Sequence, residues 1–139
     1  MPLPSTLQTP STIQGIFFSD LPDNFNQAPN SGDLAVLTNV SSIKQSLKNI
    51  VMTGLGERPY NDSIGSPGQM GLFEIGDYPT TTVVQQQLLD AIRINEPRVT
   101  IQEIIMDNNQ DNFLIVRIFF LINNLPGNYS LEVSVKRVR

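Results

Sequence analysis

Apolar residues recur at helical spacing in two stretches of this 139-residue chain and at strand spacing further on. Val40, Ile43, Leu47, Ile50 and Val51 fall on one face of a helix predicted over residues 41–53. Ser41 or Ser42 is positioned to cap its start and Gly54 to end it. Val84, Leu88, Ala91 and Ile92 make the stripe of a second helix over residues 81–95, with Thr80 or Thr81 as its cap. After Asn95 the period drops to two. Residues 99–106 predict a strand with Val99, Ile101 and Ile105 on one face. Residues 113–122 are apolar on both faces, as for a central strand covered on both sides. Residues 129–138 alternate, with Tyr129, Leu131, Val133 and Val135 inward and Ser130, Glu132, Ser134 and Lys136 outward. The turns between these strands are predicted at 107–112 and at 123–128, the latter around Pro126-Gly127.

The remaining segments are irregular. Residues 1–10 are rich in Pro, Ser and Thr and predict a mobile arm. Residues 12–21, with Ile13, Ile16, Phe17 and Phe18, read as a short strand or a pin for that arm. Residues 22–32 have loop composition, and 33–37 are a second short strand candidate. Residues 54–79 hold six of the nine glycines, and a loop this long in a compact domain is usually functional or ordered by a partner. No Gly-Lys-Ser/Thr follows those glycines, so the loop is not a phosphate cradle. Leu72, Phe73 and Ile75 are apolar enough to tack its far end to the core. The order of elements predicts an α+β fold, with two helices on one face of a mainly antiparallel sheet and a C-terminal three-stranded meander. The expected organisation is a flexible N-terminal arm and loop over 1–32 and a domain over 33–139. The last strand is expected at a sheet edge, where unpaired backbone groups accept a strand from another chain. Glu132, Lys136 and Arg137 would discourage unselective pairing there.

Charge and residue content narrow the chemistry. The net charge is −4, which disfavours an undirected grip on nucleic acid or acidic lipid. Lys136, Arg137 and Arg139 place a third of the nine basic residues in the last four positions. That tail reads either as a solubilising strand end or as a contact for an acidic partner. With no histidine and no cysteine, Ser-His-Asp triads, Cys-His dyads, imidazole zinc sites and thiolate metal sites are excluded. Asp107 to Asp111 offers oxygen atoms but lacks the glycine and closing glutamate of a helix-loop-helix calcium loop, so no metal or cofactor is expected. No apolar run reaches the roughly 18–20 residues that span a bilayer, and no basic-then-apolar leader opens the chain. A soluble protein is expected, in the compartment where it is made or in an assembly built there.

One short run carries more chemistry than the rest. Residues 95–99 read Asn-Glu-Pro-Arg-Val at the junction of the second helix and the first long strand. Pro97 cannot continue the helix and biases Glu96 away from helical angles, so the corner is stiff. Arg98 offers a planar fork suited to a carboxylate or carbonyl. Two readings stand side by side. Arg98 docks on an acidic partner, or it closes an internal salt bridge with Glu96 or Glu57 that holds the corner together. Glu57 and Arg58, between a helix end and a proline, are either interface residues or merely solvated.

Four stretches in register carry a resemblance. They are residues 42–50 with 53–59 (Thr-Gly-Leu-Gly-Glu-Arg-Pro), Leu72-Phe73-Glu74, Glu96-Pro97-Arg98, and the closing Val135-Lys136-Arg137-Val138-Arg139. Together they resemble the baseplate wedge family of contractile phage tails, similar to the sheath initiators of related systems including type VI secretion. The resemblance spans residues 33–139. It implies a non-enzymatic component of the virion's tail baseplate, assembled in the host cytoplasm, in six copies around the tail axis. It further implies docking on the baseplate wedge core proteins, contact with tail tube or hub proteins, and a sheet that starts assembly of the tail sheath protein. Glu96, Pro97 and Arg98 would be the docking motif, with Glu57, Arg58, Lys136, Arg137 and Arg139 as further partner-binding residues. The family's lysozyme-like label makes a carboxylate glycosidase an alternative, with Glu57, Glu74, Asp77 and Glu96 as possible acids. Two carboxyls roughly 5–9.5 Å apart are needed for that, yet the chain has no tryptophan to line a sugar groove. A free-standing module that binds a peptide strand is a further alternative.

Overall fold

The computed structural model describes residues 15–29, 32–66, 78–110 and 113–136. In chain order the elements are β1 (Ser19–Asp20), β2 (Leu37–Thr38), α1 (Val40–Met52), α2 (Tyr78–Asn95), β3 (Val99–Gln110), β4 (Phe113–Ile122) and β5 (Leu125–Lys136). β1 and β2 form a short antiparallel pair, while β3, β4 and β5 form an antiparallel meander with β4 in the middle. This is the expected α+β arrangement. The helical stripes meet the sheet as their spacing requires. Ile43, Leu47 and Val51 of α1 and Leu88 and Ile92 of α2 are fully buried. They share one core with Leu114, Val116, Ile118 and Phe120, alternate residues on one face of β4. Tyr129 of β5 lies beside Phe120, ring centroids 6.0 Å apart.

Both helices lie on the same side, so β4 is not covered on both faces as its composition suggested. Its outer face carries Phe113, 41% exposed, and the half-buried Ile115, Phe119 and Leu121. Arg117, in the middle of that face, pairs with Glu132 of β5 at 2.8 Å, both exposed. The predicted alternation of β3 also breaks. A bulge at Gln102 shifts the register between Ile101 and Glu103. One extra residue moves all later side chains to the opposite face. Ile104 and Met106 therefore pack on the core, and Ile105 faces outward at 38% exposure.

Five predicted boundaries move. β3 continues to Gln110, opposite Phe113, where a turn from 107 was expected. The second turn shrinks to Asn123 and Asn124, the latter at φ 69, and Pro126-Gly127 lies inside β5. Proline fits there because β5 is an edge strand and loses no ladder donor. α1 begins at Val40 after Asn39, whose side chain makes no cap bond to the helix. Ser42 is buried, and its hydroxyl has no partner among the described residues. Thr53, extended at φ −93, ends α1 in place of a left-handed Gly54. Thr80 and Thr81 lie inside α2 rather than at its cap, because Tyr78 and Pro79 already occupy the first turn. A proline there removes no helical donor.

Two irregular segments are tied to this body. Residues 15–29 and 32–38 form a ribbon in which Ser19 opposes Thr38 and Gln27 bridges Leu34. The loop from Gly54 to Ser66 closes back on the end of α1: Ser66 N–H donates to Thr53 O at 2.9 Å and Ser66 Oγ to Val51 O at 3.0 Å. The predicted apolar anchors Leu72, Phe73 and Ile75, the mobile arm expected over 1–10, and Arg137 and Arg139 lie outside the described residues. Among the described residues no helix is long and apolar enough to cross a membrane.

Gly65 makes the closure of the 54–66 loop possible. Its φ is +142, and a Cβ would come within 2.7 Å of Thr53 O and 2.8 Å of Gly54 O. Gly65→Ala is expected to lower stability by about 1–3 kcal/mol through strain at this crossing. Urea denaturation of the purified chain measures it, and an unchanged midpoint would show that the loop relaxes freely.

Candidate docking site

The Asn-Glu-Pro-Arg corner folds around a buried carboxylate. Glu96 still donates its N–H to Ile92 O at 2.7 Å, the last helical bond before Pro97 interrupts the ladder. The chain then turns, and Asn123 in the β4–β5 turn fastens the far side. Its N–H donates to Arg98 O at 2.9 Å and its Nδ2 to Pro97 O at 3.2 Å. This places the Glu96 side chain inward at 1% exposure. Three donors meet it: Arg98 Nε on Oε1 at 2.5 Å, Arg98 Nη2 on Oε2 at 2.6 Å, and Ser46 Oγ from α1 on Oε2 at 2.5 Å. Burial alone would raise the carboxyl's pKa. Arg98 and Ser46 outweigh that and hold it below the usual carboxylate range. The guanidinium in turn is raised by its bond to Glu96.

Arg98 therefore sits in the internal pair that was the alternative to docking. Its side chain keeps 36% exposure, and Nη1 has no hydrogen-bond partner among the described residues. The guanidinium carbon lies 5.3 Å from the centre of the Phe18 ring, and Asp20 adds a favourable charge nearby. Phe18 is held there by Asn39, which explains why Asn39 does not cap α1. Asn39 Oδ1 accepts from Phe17 N–H at 2.9 Å, and its own N–H donates to Phe18 O at 2.8 Å.

A polar cleft of about 180 Å³ opens beside the corner, lined by Asp20, Ser46, Asn49, Ile50, Arg58, Ile64 and Asn95. It brings Arg58 to the same face as the Glu96 junction. Glu57 turns elsewhere: its Oε2 accepts the Gly54 N–H at 2.8 Å, which fixes the first turn of the loop. Lys136 is remote. It faces Phe113 at the far end of the sheet, eleven strand positions from Leu125, which is on the order of 35 Å. The candidate residues thus divide into a corner with its cleft (Glu96, Pro97, Arg98, Arg58), a loop clasp (Glu57) and a strand end (Lys136). Sequence reasoning missed Ser46, Asn39, Phe18 and Asn123. Each acts across 20 or more positions, and a serine or asparagine on a helix or turn carries no local sign of such a partner.

The third feature of this surface is the free margin of the meander. The β3 margin is bent by the Gln102 bulge and capped where Gln85 Nε2 of α2 donates to Ile104 O at 3.3 Å. The β5 margin is straight from Asn128 to Lys136, paired residue by residue with β4 on one side. Among the described residues nothing else bonds its backbone over that span.

Residues 38–126 match the family described as Baseplate wedge protein gp25. The chain belongs to this family. It is a structural component of a contractile-tail baseplate, placed with the tail and assembled with other baseplate proteins. No curated protein matches it at the sequence level. The fold recurs in a Geobacter sulfurreducens protein given the provisional description tail lysozyme, at 17% identity and TM-score 0.64, covering 76% of this chain and 97% of that one. It recurs also in a chain of the anti-feeding prophage baseplate, at 22% identity and TM-score 0.64, covering 78% and 87%. Both likenesses are of fold. The baseplate wedge match begins at Thr38, so the ribbon over residues 15–37 precedes it.

The depressed Glu96 carboxyl has a pH consequence. A group whose pKa is lower folded than unfolded stabilises the fold above its unfolded value, and that contribution is lost as pH falls through the folded value. Glu96→Gln is expected to be less stable than the parent at pH 7, with the gap closing as pH drops below about 4. Thermal melts of both proteins from pH 7 to pH 3 check this, and a constant gap would mean that the Glu96 carboxyl has the same pKa folded and unfolded. Arg98→Ala leaves the buried carboxylate with Ser46 alone. Removing a partner from a fully buried pair costs about 3–5 kcal/mol, reduced here to about 1–3 because Arg98 is partly solvated. Chemical denaturation at pH 7 reads this directly.

Proposed function

We propose that this baseplate wedge protein is an assembly adaptor with two contacts. The cleft beside the Glu96–Arg98 corner seats on the wedge core, and the β5 margin accepts an extended strand from the first ring of sheath protein. The observation that carries this reading is the asymmetry of the two sheet margins. A strand added to β5 would find a run of open backbone groups, while β3 is bulged and already capped by Gln85. Edge strands that are long and uncovered are an aggregation hazard, and they persist where a partner uses them. On the corner side, Arg58 gives the cleft a donor for carboxylate or carbonyl groups, and the outer edge of Arg98, held in place by Glu96, offers another on the corner itself. Six copies around the tail axis, contact with tube or hub proteins, and assembly in the host cytoplasm belong to the same proposal.

The chemistry at the corner weighs against the glycosidase alternative. A general acid needs a raised pKa and access to the glycosidic oxygen. Glu96 is buried, paired and shifted the other way, and Glu57 is committed to the Gly54 amide. Glu74 and Asp77 lie outside the described residues.

The chain has no cysteine, so a single introduced thiol reports one position. Ser134→Cys on β5 is expected to be labelled by maleimide in the free protein. In tail particles with sheath it should be protected and should cross-link to the sheath chain, while Glu103→Cys on β3 stays reactive in both. Equal labelling of Ser134→Cys in free protein and sheathed particles would contradict strand addition at β5.

A further inference from the structure

The ribbon over residues 15–38 meets the corner through Phe18 and Asp20, and its exposed apolar side chains are left unused by the two contacts above. Six of the thirteen large exposed apolar side chains among the described residues lie on it: Ile16, Phe17, Leu21, Phe25, Leu34 and Val36. Ile16 is 72% exposed and Phe25 66%. Monomeric proteins rarely gather exposed apolar groups in this way unless a partner covers them. The ribbon is also firmly held. Asn39 grips Phe17 and Phe18, Gln45 of α1 donates to Leu21 O at 2.6 Å and accepts from Asp23 N–H at 3.2 Å, and Asn49 donates to Asp23 at 3.3 Å. Phe25 is kept at φ 47, a left-handed conformation that is costly for a bulky side chain, and its ring still faces solvent.

Charge narrows the partner. The first 43 residues hold Asp20, Asp23 and Asp33 and no lysine or arginine, so they account for most of the net charge of −4. All three aspartates are exposed. An acidic, apolar surface repels nucleic acid and anionic lipid and complements an apolar protein patch with a basic border. Among the described residues, the outer face of this chain's own sheet does not have that border, since Glu103, Asp107 and Glu132 there outnumber Arg117 and Lys136. A second copy is therefore a poor match.

From this we propose that the ribbon is a third docking surface, which seats on a different protein of the baseplate through an apolar patch rimmed by lysine or arginine. The proposal rests on the baseplate reading but on neither the corner cleft nor the β5 margin. It places a contact ahead of the family-matched residues.

The test uses tail particles from producing cells, with a benzophenone amino acid at position 17, position 25 or, as a control, position 94. Positions 17 and 25 are expected to cross-link to one and the same non-sheath chain, within peptides carrying Lys or Arg, and position 94 to give no such product. The double variant Phe17→Ser/Phe25→Asn keeps both backbone conformations available, since asparagine tolerates positive φ. It should melt as the parent does and enter particles at least about tenfold less often. Parent-level incorporation of the folded double variant overturns the proposal and leaves the baseplate reading standing. Cross-links to another copy of this chain or to lipid overturn the choice of partner. Absence of the unaltered chain from particles overturns both readings.

Discussion

A single buried carboxylate sets the geometry of this molecule. Glu96 lies where a helix must become a strand, and it is the meeting point of α1 through Ser46, of the corner itself through Arg98, and, by way of Arg98, of Phe18 in the N-terminal ribbon. An ionised group taken out of water is costly unless its oxygens are satisfied. Three donors satisfy this one, so each segment that supplies or positions a donor is held to the others. Pro97, directly after Glu96, keeps the helix from running past Asn95, and Asn123 fastens the exit. The sheet, both helices and the ribbon thus share one polar junction at the end of an otherwise apolar core.

That junction changes what the Glu-Pro-Arg motif means physically. A free arginine on a stiff elbow would be a docking finger. Here the guanidinium is first a structural partner and only its outer edge is left for a neighbour. The arrangement would suit the proposed adaptor, because a partner would meet a group already oriented and partly desolvated, with little side-chain entropy left to lose. The sheet shows the same economy. Gln85 spends its amide on the β3 margin, and the bulge at Gln102 bends that strand, so one margin is closed and the other is left for pairing.

Much of the fold was legible in the residue pattern because it rests on periodicity. The stripe of Ile43, Leu47, Ile50 and Val51, that of Val84, Leu88 and Ile92, and the alternation ending in Val133 and Val135 all face the core as their spacing requires. The failures have local causes. Nothing around Gln102 marks a bulge, because Ile101, Ile104 and Ile105 are apolar in either register. The doubly apolar β4 suggested cover on both faces, but composition cannot say whether the second cover comes from this chain or another. Ser41 and Ser42 are good capping types, yet the cap position fell to Asn39, whose side chain is committed to the ribbon. At the candidate docking site, the Glu96–Arg98 pair was readable from two neighbouring residues, whereas Ser46 lies 50 positions away from the carboxylate it serves.

In the proposed assembly another chain completes β5 while the Glu96 corner faces the wedge core. A cryo-EM map of the sheathed tail, at a resolution that traces side chains, tests it most directly. The expected density shows a foreign strand hydrogen-bonded along the backbone of Tyr129 to Lys136 and a protein surface against Arg58 and Arg98. A map in which that strand margin and that corner both meet only solvent would contradict it.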